Sequence, residues 1–418
     1  MSAVSRVLAA GGLLLCLSAP GALASPSRVS SRVLTYRSPQ ALRTLLARTH
    51  LRVKRNLPAL HAVEVEGATV GARPVSRHVF AEPESTEPAV RDLYWLGIPY
   101  EWQYTATHAD QVAESVLRAA AGVTIAVIDT GIDVSQPDIA AKAPEVYSVV
   151  HPRNRRDARD YYGHGTFVAS LAAGSVTNGE GIAGFGGDAK LLVVQVANDD
   201  GWINDVDEAA GIVYAVKRGA RIINLSLGGT ERSKLETRAV RYAQRHGVLF
   251  VAAAGNEFHL GNPVEYPAAL LQRPGSRGHG GSGLSVGAST LKGARASFSN
   301  TGSYISLAAP GDNVFADLSG YSDWSPAPLP GSRAGLYGFS SGTSFAAPEV
   351  AGAAALVWAA NPGLKARQVA TILKRTASGN GTWNRKLGFG AIDVAAAVEL
   401  APKIGPAVPA AEKLLKRL

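Results

Sequence analysis

Four residues of this chain have the types that acyl transfer by a hydroxyl group needs: Ser344, His164, Asp129 and Asn256. Ser344 lies in Gly338-Phe-Ser-Ser-Gly-Thr-Ser344-Phe-Ala-Ala-Pro348, where a small, glycine-rich loop meets an alanine-rich apolar run that predicts a helix through Ala360. At that junction the serine's backbone N–H has no intrahelical partner and points the same way as the positive end of the helix dipole. That suits a nucleophile whose product is an oxyanion, although taken alone the residue reads equally well as an N-cap serine. A serine attacks a carbonyl only if a base takes its proton, and the base works best when a buried carboxylate fixes its tautomer. Asp129 ends the apolar run Val123-Thr-Ile-Ala-Val-Ile128, where a charge needs a partner. His164 sits between glycines in Tyr161-Tyr-Gly-His164-Gly-Thr-Phe-Val-Ala169, at the start of an apolar helix. Asn256 follows Ala252-Ala-Ala-Gly255 with an amide donor that can face an oxyanion. Each alone has a plain explanation as a capping Asp, a loop His or a turn Asn; together they point to nucleophilic catalysis.

The elements that must position them are strands and helices in alternation. Apolar, β-branched runs recur at 123–128, Leu191-Leu-Val-Val-Gln-Val196, Arg221-Ile-Ile-Asn-Leu225 and Val248-Leu-Phe-Val-Ala-Ala253. Helical patterns at 205–218 and 235–246 separate them. Near-continuous apolar strands alternating with helices predict an α/β fold with a mainly parallel sheet, whose chemistry gathers at the strands' carboxyl ends.

Two other motif matches fail on context. Gly179-Glu-Gly-Ile-Ala-Gly184 fits the dinucleotide pattern but follows a helix and precedes a strand, the reverse of what that site requires. Gly338-Phe-Ser340-Ser-Gly342 and Gly283-Leu-Ser285-Val-Gly287 fit a nucleophile elbow, yet neither is followed by a convincing acid and then a histidine.

With 418 residues the chain holds one large domain and a smaller one. Residues 1–24 combine Arg6, a short apolar run and Ala22-Leu-Ala24 before Ser25, which matches a secretory signal and is too broken for a membrane anchor. Cys16 is the single cysteine and Met1 the single methionine, so a chain cut after Ala24 carries no sulfur and no disulfide. The net charge of +9 is dispersed in short mixed runs without aromatic interleaving, which argues against a nucleic-acid partner. From Ser27 to about Gly67 a strand (32–36), a helix (39–49) and an alternating strand (59–65) read as a compact βαβ-type module. A Pro-, Glu-, Ser- and Arg-rich linker, 68–88, follows and invites proteolysis.

The blocks Val127-Ile-Asp129-Thr-Gly131, Gly163-His164-Gly-Thr166, Ala254-Gly-Asn256 and Gly342-Thr-Ser344-Phe-Ala-Ala-Pro348 resemble the subtilisin-like serine proteases, the subtilases, in that family's order. Asn224-Leu-Ser-Leu-Gly228, Tyr266-Pro267, Phe298-Ser-Asn-Thr-Gly302 and Ala309-Pro-Gly311 strengthen a likeness that spans about residues 90 to 400. The resemblance implies a three-layer subtilisin-like α/β fold preceded by a small α+β propeptide domain. It divides the chain into a signal peptide (1–24), a propeptide and linker (25–88), a catalytic domain (89–400) and a basic tail (401–418). It implies a secreted endopeptidase, periplasmic if the cell has an outer membrane, that matures itself and works as a monomer on protein and peptide substrates. Its own propeptide would be a partner, and the mature chain would have no membrane anchor; the competing expectation is an inert subtilase fold that only binds.

Carried onto these positions, Asp129, His164 and Ser344 would be the triad, and Asn256 with the Ser344 N–H the oxyanion hole. Ser226, Leu227 and Gly228 with Ala253, Ala254 and Gly255 would line the primary pocket, and Glu265, just before Tyr266-Pro267, would form its floor. A carboxylate there would favour cleavage after Lys or Arg unless it pairs with a protein cation such as Arg273 or Arg277. Gly201, Trp202 and Ile203 would form an edge strand that pairs with extended substrate. Asp138 and Asn178 would bind a structural Ca²⁺, unless they are merely a helix cap and a turn. Phe345 replaces a methionine often found beside the family's nucleophile, and Leu271 to Gly283 resembles an insertion.

Overall fold

Apolar strands that alternate their side chains between two faces need a layer of helices on each, and that requirement shapes the whole chain. The computed structural model describes residues 31–49, 51–66, 100–272, 275–281, 283–322 and 336–405, with backbone alone at 73–74, 77–78 and 327–328. The expected signal peptide, most of the linker and the end of the tail lie outside the described residues.

Seven parallel strands form the central sheet, in the order Leu307–Pro310, Gly283–Ser289, Leu249–Ala253, Ile222–Leu225, Thr124–Asp129, Lys190–Gln195, Glu145–Ser148. Ile125 and Val127 point into one apolar core, shared with the helices His164–Ala173, Thr343–Ala360 and Ala366–Thr376. Ala126 and Ile128 point into the other, shared with the helices Asp205–Lys217 and Lys234–Arg245. The result is the expected three-layer α/β architecture. Three of its strands, 145–148, 283–289 and 307–310, were not foreseen as strands; the elbow-like Gly283-Leu-Ser285 match is the start of one of them. The last two are rich in Gly, Ala, Ser and Pro, whose weak strand propensity the surrounding sheet overrides, and the first, Glu145-Val-Tyr-Ser148, is only four residues long.

The N-terminal module corrects the βαβ reading. Its sheet is antiparallel, in the order Arg52–Leu57, Ala62–Glu66, Ser31–Thr35, Arg73–Pro74, with the helix Pro39–Ala47 connecting the first and second strands along the chain. The strand Arg52–Leu57 escaped notice because its charged, open face breaks the apolar alternation. Leu57, Leu60 and Ala62 join the core of the two helices Asp205–Lys217 and Lys234–Arg245. Arg55 pairs with Asp207, and Arg238 donates to the carbonyl of Leu60 at 2.9 Å, so the module is docked on the larger domain. No helix among the described residues is long and apolar enough to cross a membrane.

Candidate active site

Asp129 and His164 meet where the central strand ends and the helix His164–Ala173 begins. Asp129 Oδ1 accepts from His164 Nδ1 at 2.7 Å and from the Thr130 amide at 2.8 Å, and neither side chain reaches solvent. A carboxylate at Nδ1 holds the proton on that nitrogen and leaves Nε2 as the basic one. Asp160, which sequence reading missed, builds this junction. Its carboxylate accepts from Thr130 Oγ1, the Gly163 amide and both the amide and hydroxyl of Thr166, at 2.7–2.8 Å. Burial pushes the Asp160 carboxyl up, and those hydrogen bonds oppose the shift. The helix also approaches the strand end closely: the Gly165 amide donates to Thr130 Oγ1 at 2.8 Å, and a Cβ at 165 would lie 2.3 Å from the Gly131 carbonyl.

Ser344 arrives on the neighbouring helix, Thr343–Ala360, as its second residue. The Phe345 ring lies 5.6 Å from the His164 ring and 4.4 Å from Phe167, which brings the helix start against the histidine. Asn256 is tied to the same turn. Its side-chain oxygen accepts from the amide and the hydroxyl of Thr343, each at 2.9 Å, and the Gly255 amide donates to Thr343 Oγ1 at 3.1 Å. With the oxygen engaged, the Asn256 amide nitrogen is the end left to donate, one residue from Ser344. The four residues singled out by type are thus drawn to the ends of one sheet and two helices, an arrangement that can attack a carbonyl and stabilise the charge that develops.

The profile of the subtilase family matches residues 120–390, well over half of the chain. This chain belongs to the subtilase family. The chain is 33% identical over 340 residues to a thermophilic serine proteinase of Bacillus sp. (strain AK1), covering 79% of this chain and 76% of that one. Thermitase of Thermoactinomyces vulgaris is 34% identical over 266 residues, 63% of this chain and 84% of its own. The crystal structure of fervidolysin from Fervidobacterium pennivorans superposes with a TM-score of 0.71 at 24% identity, over 88% of this chain and 61% of that one, a likeness of fold. The protein is therefore a subtilisin-like serine protease, whose substrates are proteins or peptides.

In this subtilase the segments expected to line the primary pocket lie side by side. Ser226 Oγ donates to the Ser344 carbonyl at 2.6 Å and accepts from Asn224 at 2.9 Å, which ties Ser226, Leu227 and Gly228 to the nucleophile turn. Gly229 and Tyr266 exchange backbone hydrogen bonds at 3.0 and 2.9 Å. Ala253, Ala254 and Gly255 run on from the strand Leu249–Ala253. Glu265 sits between these walls: a Cβ at Gly255 would lie 2.3 Å from its Cγ, and one at Gly228 3.6 Å from its Oε2. Its carboxyl is pushed up to about 8, by burial first and then by the charge and hydrogen bond of Glu257. Among the described residues its partner is that second acid, which sequence reading did not pick out, and no ion pair joins it to a cation. Arg273 lies outside them.

Of the expected edge, Ile203 alone lies in a strand. Gly201 and Trp202 lead into the strand Ile203–Asn204, which pairs antiparallel with Arg77–His78 of the linker, Ile203 opposite His78 and Asn204 opposite Arg77. Trp202 is 49% exposed, available to line a groove.

Asp138 and Asn178 also come together: Asp138 accepts from the Asn178 amide at 2.6 Å and from the Ile182 backbone at 3.1 Å. At Gly181, whose φ is +71°, a Cβ would lie 1.8 Å from the Asp138 carboxylate, so the loop closes on the acid only with glycine there. Two further acids were not anticipated. Glu101 accepts from the Ala183 amide at 2.7 Å and is pushed up to about 7 by burial, and Asp317, fully buried, is raised further by burial and the Asp138 charge. Among the described residues no group of three or more His, Cys, Asp and Glu is arranged to hold a metal ion. A cation here would draw on Asp138, the Asn178 amide oxygen after its amide turns, and loop carbonyls, a hard-oxygen set that fits Ca²⁺.

Proposed function

We propose that this subtilase is an exported serine endopeptidase made as a self-processing proenzyme. The reading is carried by the buried hydrogen bond of 2.7 Å between Asp129 and His164 at the start of the helix His164–Ala173, against which the start of the Ser344 helix packs through Phe345. In the proposed reaction Ser344 Oγ attacks the substrate carbonyl while His164 Nε2 takes the hydroxyl proton, and Asp129 stabilises the imidazolium. The Asn256 amide nitrogen and the Ser344 N–H receive the oxyanion. Collapse breaks the C–N bond as His164 returns the proton to the leaving amine, and water, activated in the same way, releases the acyl group from Ser344.

Self-processing is supported by the contact between Arg77–His78 and the edge Ile203–Asn204, since the linker there lies as an extended substrate would. Docking of the module through Leu57, Leu60 and Arg55 supports its role as a propeptide that both assists folding and blocks the groove. Export is supported by residues 1–24. The test is secretion of Ser344→Ala from a protease-free host. An uncut precursor without peptidase activity is expected; processing at the wild-type bond would overturn self-maturation.

Asp138 and Asn178 are proposed as calcium ligands, and bound calcium would supply a fixed positive charge that anchors the loop beside the helix 164–173. Buried carboxylates at Glu101 and Asp317 give a cation further reason to sit there. Chelation by EDTA is expected to lower the melting temperature of the Ser344→Ala protein, and re-addition of calcium to restore it. A melting temperature indifferent to both would remove the site.

A further inference from the structure

The net charge of +9 is dispersed along the chain, and folding gathers part of it in one place. On the helix Lys234–Arg245, Lys234, Arg238, Arg241 and Arg245 follow one another at steps of four, three and four, which sets them along a single side. The ridge they make is about 16 Å long, the span of about five residues of extended peptide. The one acid of that helix, Glu236, is buried, and Arg232 acts on it from just before the helix.

Two adjoining hollows open along the ridge. The larger, of about 720 Å³, has Arg232, Arg241, Arg367 and His279 in its walls, with Leu270, Leu271 and Tyr304 among its apolar lining. The smaller shares Arg232 and Arg241 and adds Lys234 and Arg238. No aspartate or glutamate lines either one. Among the described residues Arg232, Lys234, Arg241 and Arg367 are in no ion pair. One exposed arginine is ordinary solvated surface, but a concave wall of one sign focuses its field and draws in the opposite charge. Val264 and Tyr266 line the larger hollow while Glu265 between them does not, so the hollow and the primary pocket take opposite faces of that segment.

The wall also says what carries the opposite charge. Gln272, 4% exposed, donates through Nε2 to the Gly283 carbonyl at 2.9 Å and to Ser306 Oγ at 2.6 Å, while its Oε1 has no hydrogen-bond partner. An ionised phosphate or a lone carboxylate has no proton to give that oxygen, whereas a peptide brings its backbone N–H groups. The wall is held in place by Lys374, which is buried and donates to the carbonyls of Gly278 and Gly280 at 2.8 and 2.9 Å. Arg238, by contrast, donates to the Leu60 carbonyl of the N-terminal module, so removal of the module releases it to the ridge.

We propose that the ridge and its two hollows form an exosite that holds an acidic segment of a protein substrate in the mature enzyme. This inference rests on the peptidase reading above. Carboxylates of the segment pair with Arg232, Arg241 and Arg367, whose planar forks match them, and a backbone N–H of the segment reaches Gln272. Holding the segment raises the local concentration of the bond to be cut, so the gain appears in KM and not in kcat.

The test uses the mature enzyme, first with Ser344 blocked by a sulfonyl fluoride and titrated against a short fluorescent peptide of glutamates around one tyrosine. Its Kd should lie about tenfold or more below that of the glutamine analogue. The difference should close in Arg241→Gln/Arg367→Gln, two exposed positions. Equal Kd values in the wild type overturn the site without any variant, as does a difference that the double substitution leaves unmoved. An oligodeoxythymidylate of equal charge that binds more tightly than the glutamate peptide gives the ridge to nucleic acid and overturns it too. With the unblocked enzyme, a cleavable peptide carrying the glutamate segment on a flexible spacer should show a KM about tenfold below its glutamine counterpart at equal kcat. Cleavage of both with equal KM sinks the exosite alone, whereas cleavage of neither sinks the peptidase reading itself.

Discussion

Burial, with the charge and hydrogen bond of Glu257, keeps Glu265 protonated up to about pH 8. A substrate lysine entering beside them changes the balance, because it supplies the charge that the ionised carboxyl lacks. Lysine on the acyl side should be cleaved in preference to phenylalanine by about tenfold, the scale of one charged hydrogen bond. The preference should grow as pH rises through 8, since more of the carboxyl is ionised above its folded value than below it. Glu265→Gln should flatten both the ratio and its pH dependence. A lysine-to-phenylalanine ratio below one in the wild type, unchanged by the substitution, would show that Glu265 does not read the substrate.

At the scale of the element, the helix Thr343–Ala360 is buried from Thr343 through Trp358, and its one acid is an anomaly. Glu349 is 0% exposed with both carboxylate oxygens unpartnered, and burial pushes its carboxyl well above the ordinary value of 4.5. Between those two values the folded protein holds a proton that the unfolded chain has lost, so this residue makes stability fall as pH rises from about 4.5. Glutamine has the shape of the protonated acid but no proton to lose. In the inactive Ser344→Ala background, Glu349→Gln should leave the midpoint of denaturation nearly unchanged at pH 5. At pH 8 it should gain about 1–3 kcal/mol, the cost of keeping such a group buried. Equal shifts at both pH values would mean that the carboxyl is not held neutral by the helix environment.

For the molecule as a whole, the only sulfur atoms belong to Met1 and Cys16, both within the expected signal peptide. Phe345, wholly buried beside Ser344 and packed on His164 and Phe167, presents no thioether to an oxidant. Hydrogen peroxide at concentrations that convert methionine to its sulfoxide should therefore leave the peptidase activity of the mature enzyme largely intact. Rapid inactivation would place the sensitive group elsewhere, at His164 or a tryptophan. Without disulfides, stability rests on the two apolar cores that sandwich the sheet.

The sheet's central strands, the helices that flank them and the four candidate catalytic residues could all be read directly from the chain. Long β-branched runs and loop-to-helix junctions are local signals, and Asp129, His164, Asn256 and Ser344 each stand at the end of one. Asp160, Glu257, Glu101 and Asp317 carry no such signal. An acid in a mixed stretch reads as solvated surface until the fold shows what surrounds it, and burial and the identity of its neighbours are properties of the packing alone. The same holds for Arg52–Leu57, a strand whose charges hide its period, and for the pairing of the linker with Ile203–Asn204. Both are stabilised by backbone hydrogen bonds to residues distant in sequence, which side-chain type does not encode and only the folded chain brings within reach.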